Sequence, residues 1–241
     1  MRVYIVIPVY NEQKILEPNI GTIMDYATKI PPEVTVLVVN DGSQDSTSQI
    51  LEDLLGLYKD KGLQVITHPQ NMGYGAALRT GIGFAIENNY DYVIFMDSDL
   101  TNHPRYLYRF YEKMTLGLDY IKATRYSGGG AVEGVPWSRR IISVVGNFVA
   151  RVLYGLPLTD LTNGFRAVKV NVLKRMTLTE FGFPIIMEEL YQAKYLTKSF
   201  GEIPYVLTSR TEEQGKTRFS YDFKTCSRYL KYAVKSFLKR K

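Results

Sequence analysis

Six short apolar runs, separated by segments of helical character, constrain the fold of this chain most strongly. The runs lie at residues 3–9, 34–40, 63–67, 92–97, 120–125 and 202–208. They are nearly continuous and rich in β-branched residues, which is typical of strands buried on both faces of a sheet. Helices are predicted at about 12–29, 45–60, 74–89, 103–115, 138–154, 185–198 and 221–238. This alternation predicts an α/β fold with a mainly parallel central sheet.

The chain length and the cysteine content indicate a broad class of protein. With 241 residues the chain can form one large domain with a substantial core. Its single cysteine, Cys226, excludes an intrachain disulfide and favours a reducing compartment. The run at residues 3–9 is too short for a secretory signal, and no stretch approaches the roughly 20 apolar residues that span a bilayer. We therefore expect a cytoplasmic protein without a membrane-spanning helix.

The net charge of +6 is concentrated at the carboxyl terminus. Residues 222–241 contain seven Lys and Arg residues and one Asp, whereas the first 221 residues contain 23 residues of each sign. A basic tail on a neutral domain does not indicate a nucleic-acid partner. It predicts a domain at residues 1–220 followed by a surface helix at residues 221–241.

Two helices have the pattern of helices that lie on a membrane surface. In the tail, apolar residues recur at steps of three and four between basic ones: Phe223, Cys226, Leu230, Ala233, Val234 and Phe237. A second stripe combines aliphatic residues with nearby arginines: Ile141, Val145, Phe148, Val152, Arg139, Arg140 and Arg151. We expect both helices to dock on an anionic membrane without crossing it. The alternative is that both pack on the core and leave their charges in solvent.

Asp97 and Asp99 end the buried run at residues 92–97. In an extended chain the two side chains point to the same side, with Ser98 pointing away. Unpaired, they would repel each other, and one would tend to take up a proton. Mg²⁺ or Mn²⁺ would resolve this conflict, because both ions prefer oxygen ligands. A pair of solvated or helix-capping aspartates is the alternative.

Asp41 leaves the second predicted strand at an Asn-Asp-Gly turn. A carboxylate at the end of a parallel strand can accept hydrogen bonds from the sugar or base of a nucleoside. The residue could equally serve the turn alone, with Asp45 or Ser46 capping the next helix. Both interpretations remain open at this stage.

Several enzyme classes are excluded by missing motifs. Leu78 occupies the third glycine position that a dinucleotide fingerprint would need after Gly73 and Gly75. The sequence also contains no P-loop and no nucleophile elbow. His68 and His103 do not form a metal-ligand spacing, and we expect each to be a surface or capping residue.

Seven motifs together resemble the family-two glycosyltransferases of GT-A fold, most closely the dolichol-phosphate mannose synthase type. They are IPVYNE (7–12), VVNDGSQDST (38–47), NMGYGAALRTG (71–81), FMDSDLTNHP (95–104), TRYSGGG (124–130), WSRRIISVVGNFVARVLYG (137–155) and LTDLTNGFRAV (158–168). The resemblance covers about residues 3–220. It departs from the family at Asn40, where many relatives have Asp, and at Thr101, where some have Gln or His. The membrane-spanning helices of many relatives are not found in this sequence.

The resemblance implies a set of site residues. Asp97 and Asp99 would hold the metal and act in catalysis. The residues implied for the nucleotide sugar are Pro8, Tyr10, Glu12, Asp41, Asp97, Ser98, Arg125, Arg210 and Lys216. Those for the acceptor phosphate are Arg139, Arg140 and Arg218. Arginine forks and a metal would neutralise two anionic substrates. Glu188 and Glu189 could orient sugar hydroxyls or lie on a solvated helix face.

The implied activity is metal-dependent, inverting transfer of a hexose from a nucleotide diphosphate sugar to a polyprenyl or dolichyl phosphate. GDP-mannose is the expected donor, and the enzyme would be peripheral on the cytoplasmic membrane face. The Gly-rich loop at residues 126–136 is expected to act as a gate. The alternatives are transfer to a sugar or protein hydroxyl, a sugar nucleotidyltransferase, and a non-catalytic membrane-surface module.

Overall fold

The computed structural model describes residues 1–31, 33–210 and 223–239. Its elements follow one another in an alternating order. They are β1 (Arg2–Val9), α1 (Leu16–Ala27), β2 (Glu33–Asn40), α2 (Thr47–Tyr58), β3 (Leu63–Thr67), α3 (Tyr74–Glu87), β4 (Tyr92–Phe95), α4 (Leu107–Thr115), β5 (Tyr120–Thr124), β6 (Ala131–Val132), α5 (Trp137–Tyr154), β7 (Arg166–Lys169), α6 (Val170–Leu173), α7 (Ile185–Leu196), β8 (Phe200–Pro204), β9 (Val206–Leu207) and α8 (Phe223–Leu238). The predicted α/β alternation is confirmed.

The central sheet has seven strands in the order β3-β2-β1-β4-β7-β5-β8. Only β7 is antiparallel to its neighbours, β4 and β5, so the prediction of a mainly parallel sheet is confirmed. Strand β7 was not predicted, because its four residues, RAVK, begin and end with a charged residue. The strand is nevertheless central, and it carries Arg166 into the interior.

Apolar layers cover both faces of the sheet. Along β1, Val3, Ile5 and Ile7 face a cluster that includes residues of α1, α2 and α4. Tyr4 and Val6 face a second cluster that includes residues of α3 and α7. Alternate β1 residues therefore supply two cores, which explains the nearly continuous apolar runs.

One predicted strand, at residues 202–208, is two strands in the structure. β8 pairs with β5 in the central sheet, whereas β9 pairs with β6 in a separate two-stranded sheet. Pro204 ends β8 and has no N–H to extend its ladder. Tyr205, between the two strands, donates its backbone N–H to Thr124 and accepts from Ala131 through its carbonyl oxygen. The change of sheet therefore holds Tyr205 at a fixed place.

The helices α5 and α8 pack against each other, and α8 also packs against α7. Across the described ranges, no helix has the length and apolarity needed to cross a membrane. The predicted boundary between residues 220 and 221 falls outside the described residues.

Parallel strands bring three loops to one edge of the sheet. Val9 at the end of β1 is in register with Asn40 at the end of β2, and Phe95 at the end of β4 pairs with Val6. The chain segments that leave these ends contain the polar motifs of the sequence. Ligands of open α/β sheets bind at this edge.

Candidate active site

A cavity of about 870 Å³ lies at the carboxyl edge of the sheet and extends under α5 and α8. It brings together most of the predicted site residues. Those that line it are Pro8, Tyr10, Glu12, Asp97, Ser98, Asp99, Arg125, Arg139, Arg140 and Arg210. Asp41 is not part of this lining. Lys216 and Arg218 lie outside the described residues.

Asp99 is held by three donors from two directions. Its Oδ1 accepts hydrogen bonds from the backbone N–H and the hydroxyl of Thr101, at 3.0 and 2.7 Å. Its Oδ2 lies 2.7 Å from Nε of Arg210. Arg210 also reaches Glu12, with 3.8 Å between its Nη2 and Glu12 Oε1. The positive group that the paired carboxylates require is therefore an arginine from the far end of the chain.

Asp97 is the carboxyl group of the pair whose ionisation is disfavoured. Burial and the charge of Asp99 raise the pKa of Asp97 to about 7, although Arg210 and Arg166 oppose the shift. Asn102 donates from Nδ2 to Asp97 Oδ2 at 3.2 Å. One of the two carboxylates was expected to take up a proton, and in the structure that carboxylate is Asp97. An additional positive charge beside Asp97 would stabilise its ionised form.

The buried Ser98 is fixed from α1, because its carbonyl oxygen accepts a hydrogen bond from the buried Asn19 at 2.8 Å. A hydrogen bond also joins the loop after β1 to the start of α2, because the backbone N–H of Glu12 donates to Thr47 Oγ1 at 2.9 Å. Asp45 accepts from the N–H of Thr47, which fits the capping role predicted for it. These contacts hold in place Ser98 and Glu12, which line the cavity.

Asp41 is buried and holds a loop in place. Its carboxylate accepts the backbone N–H groups of Met72 and Gly73 at 2.9 and 2.8 Å. His68 lies against it, with 2.8 Å between Nδ1 and Asp41 Oδ1 and 2.9 Å between Nε2 and Thr80 Oγ1. The prediction for His68 is therefore wrong: it is a buried residue that links β3 to α3. His103 does cap, accepting from the N–H of Arg105.

The glycines of the motif at residues 71–81 make room for protein. A Cβ atom at Gly75 would lie 2.3 Å from the carbonyl oxygen of Glu180, and Gly73 has a φ of +98°. Gly75 donates its N–H to Phe181 at 2.7 Å. The close approach lets Tyr74 stack on Phe183, with ring centroids 4.6 Å apart. This packing is consistent with the exclusion of a dinucleotide site.

Arg125 is paired with a residue to which the sequence analysis assigned no role. Asp160 is fully buried and receives two bonds from the Arg125 guanidinium, at 2.6 and 2.9 Å. Burial opposes ionisation of Asp160, but pairing with Arg125 lowers its pKa below the usual value. The buried Asn147 on α5 holds the flanking loop by bonding Thr159 and Leu161. The motif LTDLTNGFRAV contained this signal, since an aspartate occurs there within a largely uncharged stretch.

Glu188 and Glu189 are both buried, so the alternative that they lie on a solvated helix face is wrong. Glu189 pairs through both oxygens with Arg166, and it accepts a hydrogen bond from the hydroxyl of Tyr120. Glu188 accepts from Thr179 and from the N–H of Glu180. Neither residue lines the cavity. The unpredicted strand β7 explains the error, because it supplies the partner of Glu189.

The donor set at Asp97 and Asp99 fits a divalent cation. Within residues 1–31, 33–210 and 223–239, no three His, Cys, Asp or Glu side chains form a metal-binding group. The protein would therefore supply two carboxylates and leave further positions to substrate phosphates and water. Asn102 provides one more oxygen: its Oδ1 is buried and has no hydrogen-bond partner among the described residues. Amide oxygens are suitable ligands for Mg²⁺ and Mn²⁺.

The α/β fold and the charged cavity at the carboxyl edge of its sheet are those of a glycosyltransferase of GT-A architecture. The glycosyl transferase family 2 model matches residues 4–177, and the chain belongs to this family of glycosyltransferases. The predicted family and fold are thus confirmed.

Two relatives are each 30% identical to the chain and match 91% of it. One is a polyprenol monophosphomannose synthase from Mycolicibacterium smegmatis, of which 81% is covered. The other is an undecaprenyl-phosphate mannosyltransferase from Micrococcus luteus, of which 88% is covered.

Solved structures support the fold. The glucosyl-3-phosphoglycerate synthase of Mycobacterium tuberculosis, in complex with Mn²⁺, uridine diphosphate and glucosyl-3-phosphoglycerate, superposes with a TM-score of 0.68 at 19% identity. The match covers 98% of this chain and 79% of that one. The same enzyme in complex with Mg²⁺ and uridine diphosphate gives a TM-score of 0.65 at 18% identity, covering 98% and 79% of the two chains.

Proposed function

We propose that the protein transfers mannose from GDP-mannose to a polyprenyl phosphate at a membrane surface, with a divalent cation as cofactor. One observation carries the proposal. A single cavity is lined both by the carboxylates of Asp97 and Asp99 and by apolar residues of α5 and α8. An anionic sugar donor and a lipid acceptor could meet in such a cavity. The names of the two relatives support mannose as the transferred sugar and a polyprenyl phosphate as the acceptor.

The residues suggest how the donor is held. Pro8, Tyr10 and Glu12 line the part of the cavity nearest β1, where a nucleoside would lie. Arg210 would turn from Asp99 to the diphosphate of the donor. Asp97 and Asp99 would hold Mg²⁺ or Mn²⁺, which when bound neutralises charge on the leaving diphosphate. Asp41 would support this end indirectly through the loop at residues 71–73.

The reaction is a direct displacement. An oxygen of the acceptor phosphate forms a bond to the anomeric carbon, while the bond from that carbon to the diphosphate breaks and its electron pair leaves with the nucleoside diphosphate. Attack from the opposite face inverts the anomeric centre. The acceptor phosphate is already ionised near neutral pH, so no general base is required. Arg139 and Arg140, at the start of α5 and on the cavity lining, would orient it.

The arrangement disfavours transfer to a hydroxyl group. That reaction would need a carboxylate base beside the acceptor. Among the described residues, the carboxylates that line the cavity are Glu12, Asp97 and Asp99. All three are proposed to hold the donor or its metal. Glu188 and Glu189 are committed to Thr179, Glu180, Tyr120 and Arg166.

Apolar side chains on α5 and α8 are exposed to solvent, and three of them, Ile142, Val149 and Leu230, also line the cavity. On α5, Trp137 is 76% exposed and Phe148 is 64% exposed. The others are Ile141, Ile142, Val144, Val145, Val149 and Val152 on α5, and Leu230, Val234, Phe237 and Leu238 on α8. Both helices also pack inward, through Ala150 and Tyr154 on α5 and Tyr232 and Ala233 on α8. A membrane surface would cover the outward face, and the nearby lysines and arginines would favour anionic lipids.

Sedimentation with phosphatidylglycerol vesicles tests the membrane surface. Glu in place of Phe148 should reduce the bound fraction about tenfold or more, because a charge would enter the apolar layer. Leu57→Glu is the matched control, since Leu57 is equally exposed but lies on α2. Wild-type binding should weaken with salt. Equal binding of the two variants would show that this face does not contact lipid.

The Gly-rich loop at residues 126–136 is proposed to close over the donor. Gly129 and Gly134 have φ angles of +89° and +69°, and β6 within the loop pairs with β9. Tyr126 contacts Ser143 on α5 through their hydroxyls, 2.9 Å apart. Hydrogen exchange should slow across the loop when donor and metal are added. Exchange that is slow in the free protein and unchanged by donor would exclude a gating role.

A thermal-shift panel of sugar nucleotides tests the donor. GDP-mannose with Mn²⁺ should raise the melting temperature more than UDP-glucose or dTDP-glucose, since ligand at about 100 times its dissociation constant adds roughly 2.7 kcal/mol. A phosphorylated isoprenoid should add a further shift, which the unphosphorylated alcohol should not. A shift with nucleoside triphosphate and sugar phosphate instead would favour a nucleotidyltransferase. No shift with any of these ligands would favour a non-catalytic binding module.

A further inference from the structure

The hydroxyl of Tyr205 is buried and has no hydrogen-bond partner among the described residues. The whole residue is 1% exposed, and it lines the cavity. Buried tyrosine hydroxyls nearly always find a partner, and one left without a partner costs free energy. Because Tyr205 lies at the cavity proposed to hold the substrates, a ligand bound there would supply the missing partner.

The ring of Tyr205 cannot easily turn away from the cavity. Tyr106 contacts it edge-on at 5.9 Å between centroids, and Phe165 does so at 6.0 Å. Both backbone groups are bonded, the N–H to Thr124 at 3.0 Å and the carbonyl oxygen to Ala131 at 3.1 Å. The hydroxyl is therefore a preorganised group, as binding and catalysis require.

The surroundings indicate what kind of ligand atom it meets. Burial raises the pKa of Tyr205 well above its usual value, although the charge of Arg125 opposes the shift, so the phenol remains a neutral donor. Arg125 also lines the cavity. A hydrogen-bond donor beside a guanidinium is suited to an anionic oxygen, and phosphate oxygens are the anions of the proposed reaction.

We propose that the Tyr205 hydroxyl donates a hydrogen bond to a phosphate oxygen of a substrate, next to Arg125. This inference rests on the proposed function for the identity of the two phosphates, the donor diphosphate and the acceptor monophosphate. It makes Tyr205 a catalytic residue. This role was not predicted, because Tyr205 lies in an apolar run that predicts only a strand.

Tyr205→Phe tests the proposal, because it removes the hydroxyl and keeps the ring. The melting temperature should stay unchanged or rise, since no protein partner is lost. Tyr106→Phe is the matched control: the Tyr106 hydroxyl accepts from the N–H of Val206 and from Arg105, so its loss should lower the melting temperature and leave phosphate binding unchanged. This contrast separates a ligand contact from a structural one.

Titration calorimetry with GDP and Mn²⁺, and separately with a short-chain isoprenyl phosphate, identifies the source of the phosphate. Tyr205→Phe should weaken one of them by about 10-fold to 100-fold, as expected for a hydrogen bond to a charged group. If both affinities are unchanged but kcat falls to a similar degree, the hydroxyl acts on charge that develops during transfer. Either outcome supports the proposal. Unchanged affinities together with an unchanged kcat would overturn the proposal and show that the hydroxyl contacts no substrate.

The binding measurements keep the two proposals distinguishable. If the wild-type protein transfers mannose while Tyr205→Phe matches it in every measurement, the inference on Tyr205 fails and the proposed function stands. If the wild type transfers to no polyprenyl phosphate, the proposed function fails. Binding of GDP and of isoprenyl phosphate then still decides whether Tyr205 contacts a phosphate: weaker binding of either by the variant supports the contact, and unchanged binding overturns it.

Discussion

Nε of Arg210 lies 2.7 Å from Oδ2 of Asp99, so an arginine neutralises one of the two carboxylates proposed to hold the metal. Nη2 of the same guanidinium lies 3.8 Å from Oε1 of Glu12, which also lines the cavity. A metal bound by Asp99 would therefore compete with Arg210, and its binding would release the guanidinium toward an anionic donor.

Arg210→Gln should bind Mn²⁺ alone about 3-fold to 10-fold more tightly, because the competing cation is gone. The same variant should bind GDP-mannose with Mn²⁺ less tightly, because a phosphate partner is lost. Titration calorimetry measures both affinities, with Arg175→Gln, an exposed position, as control. Unchanged affinity for Mn²⁺ alone would contradict the competition.

Asn102→Leu should weaken Mn²⁺ binding about tenfold, since it removes a buried oxygen beside Asp97 that the metal could use or that orients a ligand. Asn102→Asp should retain or strengthen the binding. Electron paramagnetic resonance of free Mn²⁺ during titration gives both affinities without an activity assay. Equal affinity in the wild type and the Leu variant would remove Asn102 from the metal site.

Glu189→Gln should destabilise the protein by about 3 to 5 kcal/mol, because it leaves the fully buried Arg166 without its counter-charge. The double variant Arg166→Met with Glu189→Leu should be clearly less destabilised than the single one. Urea unfolding followed by circular dichroism gives the free energies. A single variant within 1 kcal/mol of the wild type would show that Arg166 is neutralised by another group.

Lys122 makes stability depend on pH. Its side chain is fully buried and donates to the carbonyl oxygen of Asn163. Burial lowers the pKa of Lys122 to about 7, as does the charge of Arg166, while Asp160 and Glu189 oppose the shift. Between that value and the ordinary lysine pKa the unfolded chain binds more protons, so this group makes the folded state more stable as pH rises.

Lys122→Met should remove that dependence. The melting temperature of the wild type, relative to the variant, should increase between pH 7 and pH 10 and be lowest below pH 7. Comparing the two proteins cancels the groups that titrate in both. A difference that does not change with pH would show that Lys122 keeps its ordinary pKa in the folded state.

Local patterns in the sequence were sufficient for most of the fold. The period of the apolar runs located β1 to β5, and the charge conflict between Asp97 and Asp99 was visible from their spacing alone. The sequence could not show partners that come from distant elements. Arg210 reaches Asp99 across 111 positions, and Asp160 meets Arg125 only because the loop after α5 folds back.

The missed strand β7 shows the same limit. Its charged ends read as a surface segment, yet pairing with β4 and β5 buries Arg166 opposite Glu189. Because β7 was not predicted, the buried partner of Glu189 was not predicted either, and a solvated position stayed open as an alternative for that residue. Tyr205 was missed for another reason, since a hydroxyl without a partner is a property of packing and not of pattern.

The direct assay of the proposed reaction is transfer of radiolabelled mannose from GDP-mannose to polyprenyl phosphate in anionic vesicles. We expect label in the lipid extract with Mg²⁺ or Mn²⁺ and none with EDTA. In Asp99→Asn, whose fold should be intact, the rate should fall by at least about 100-fold. Transfer that continues in EDTA, with Asp99→Asn at the wild-type rate, would contradict the metal-bound donor. Absence of labelled lipid in the wild type with every donor tested would contradict the acceptor.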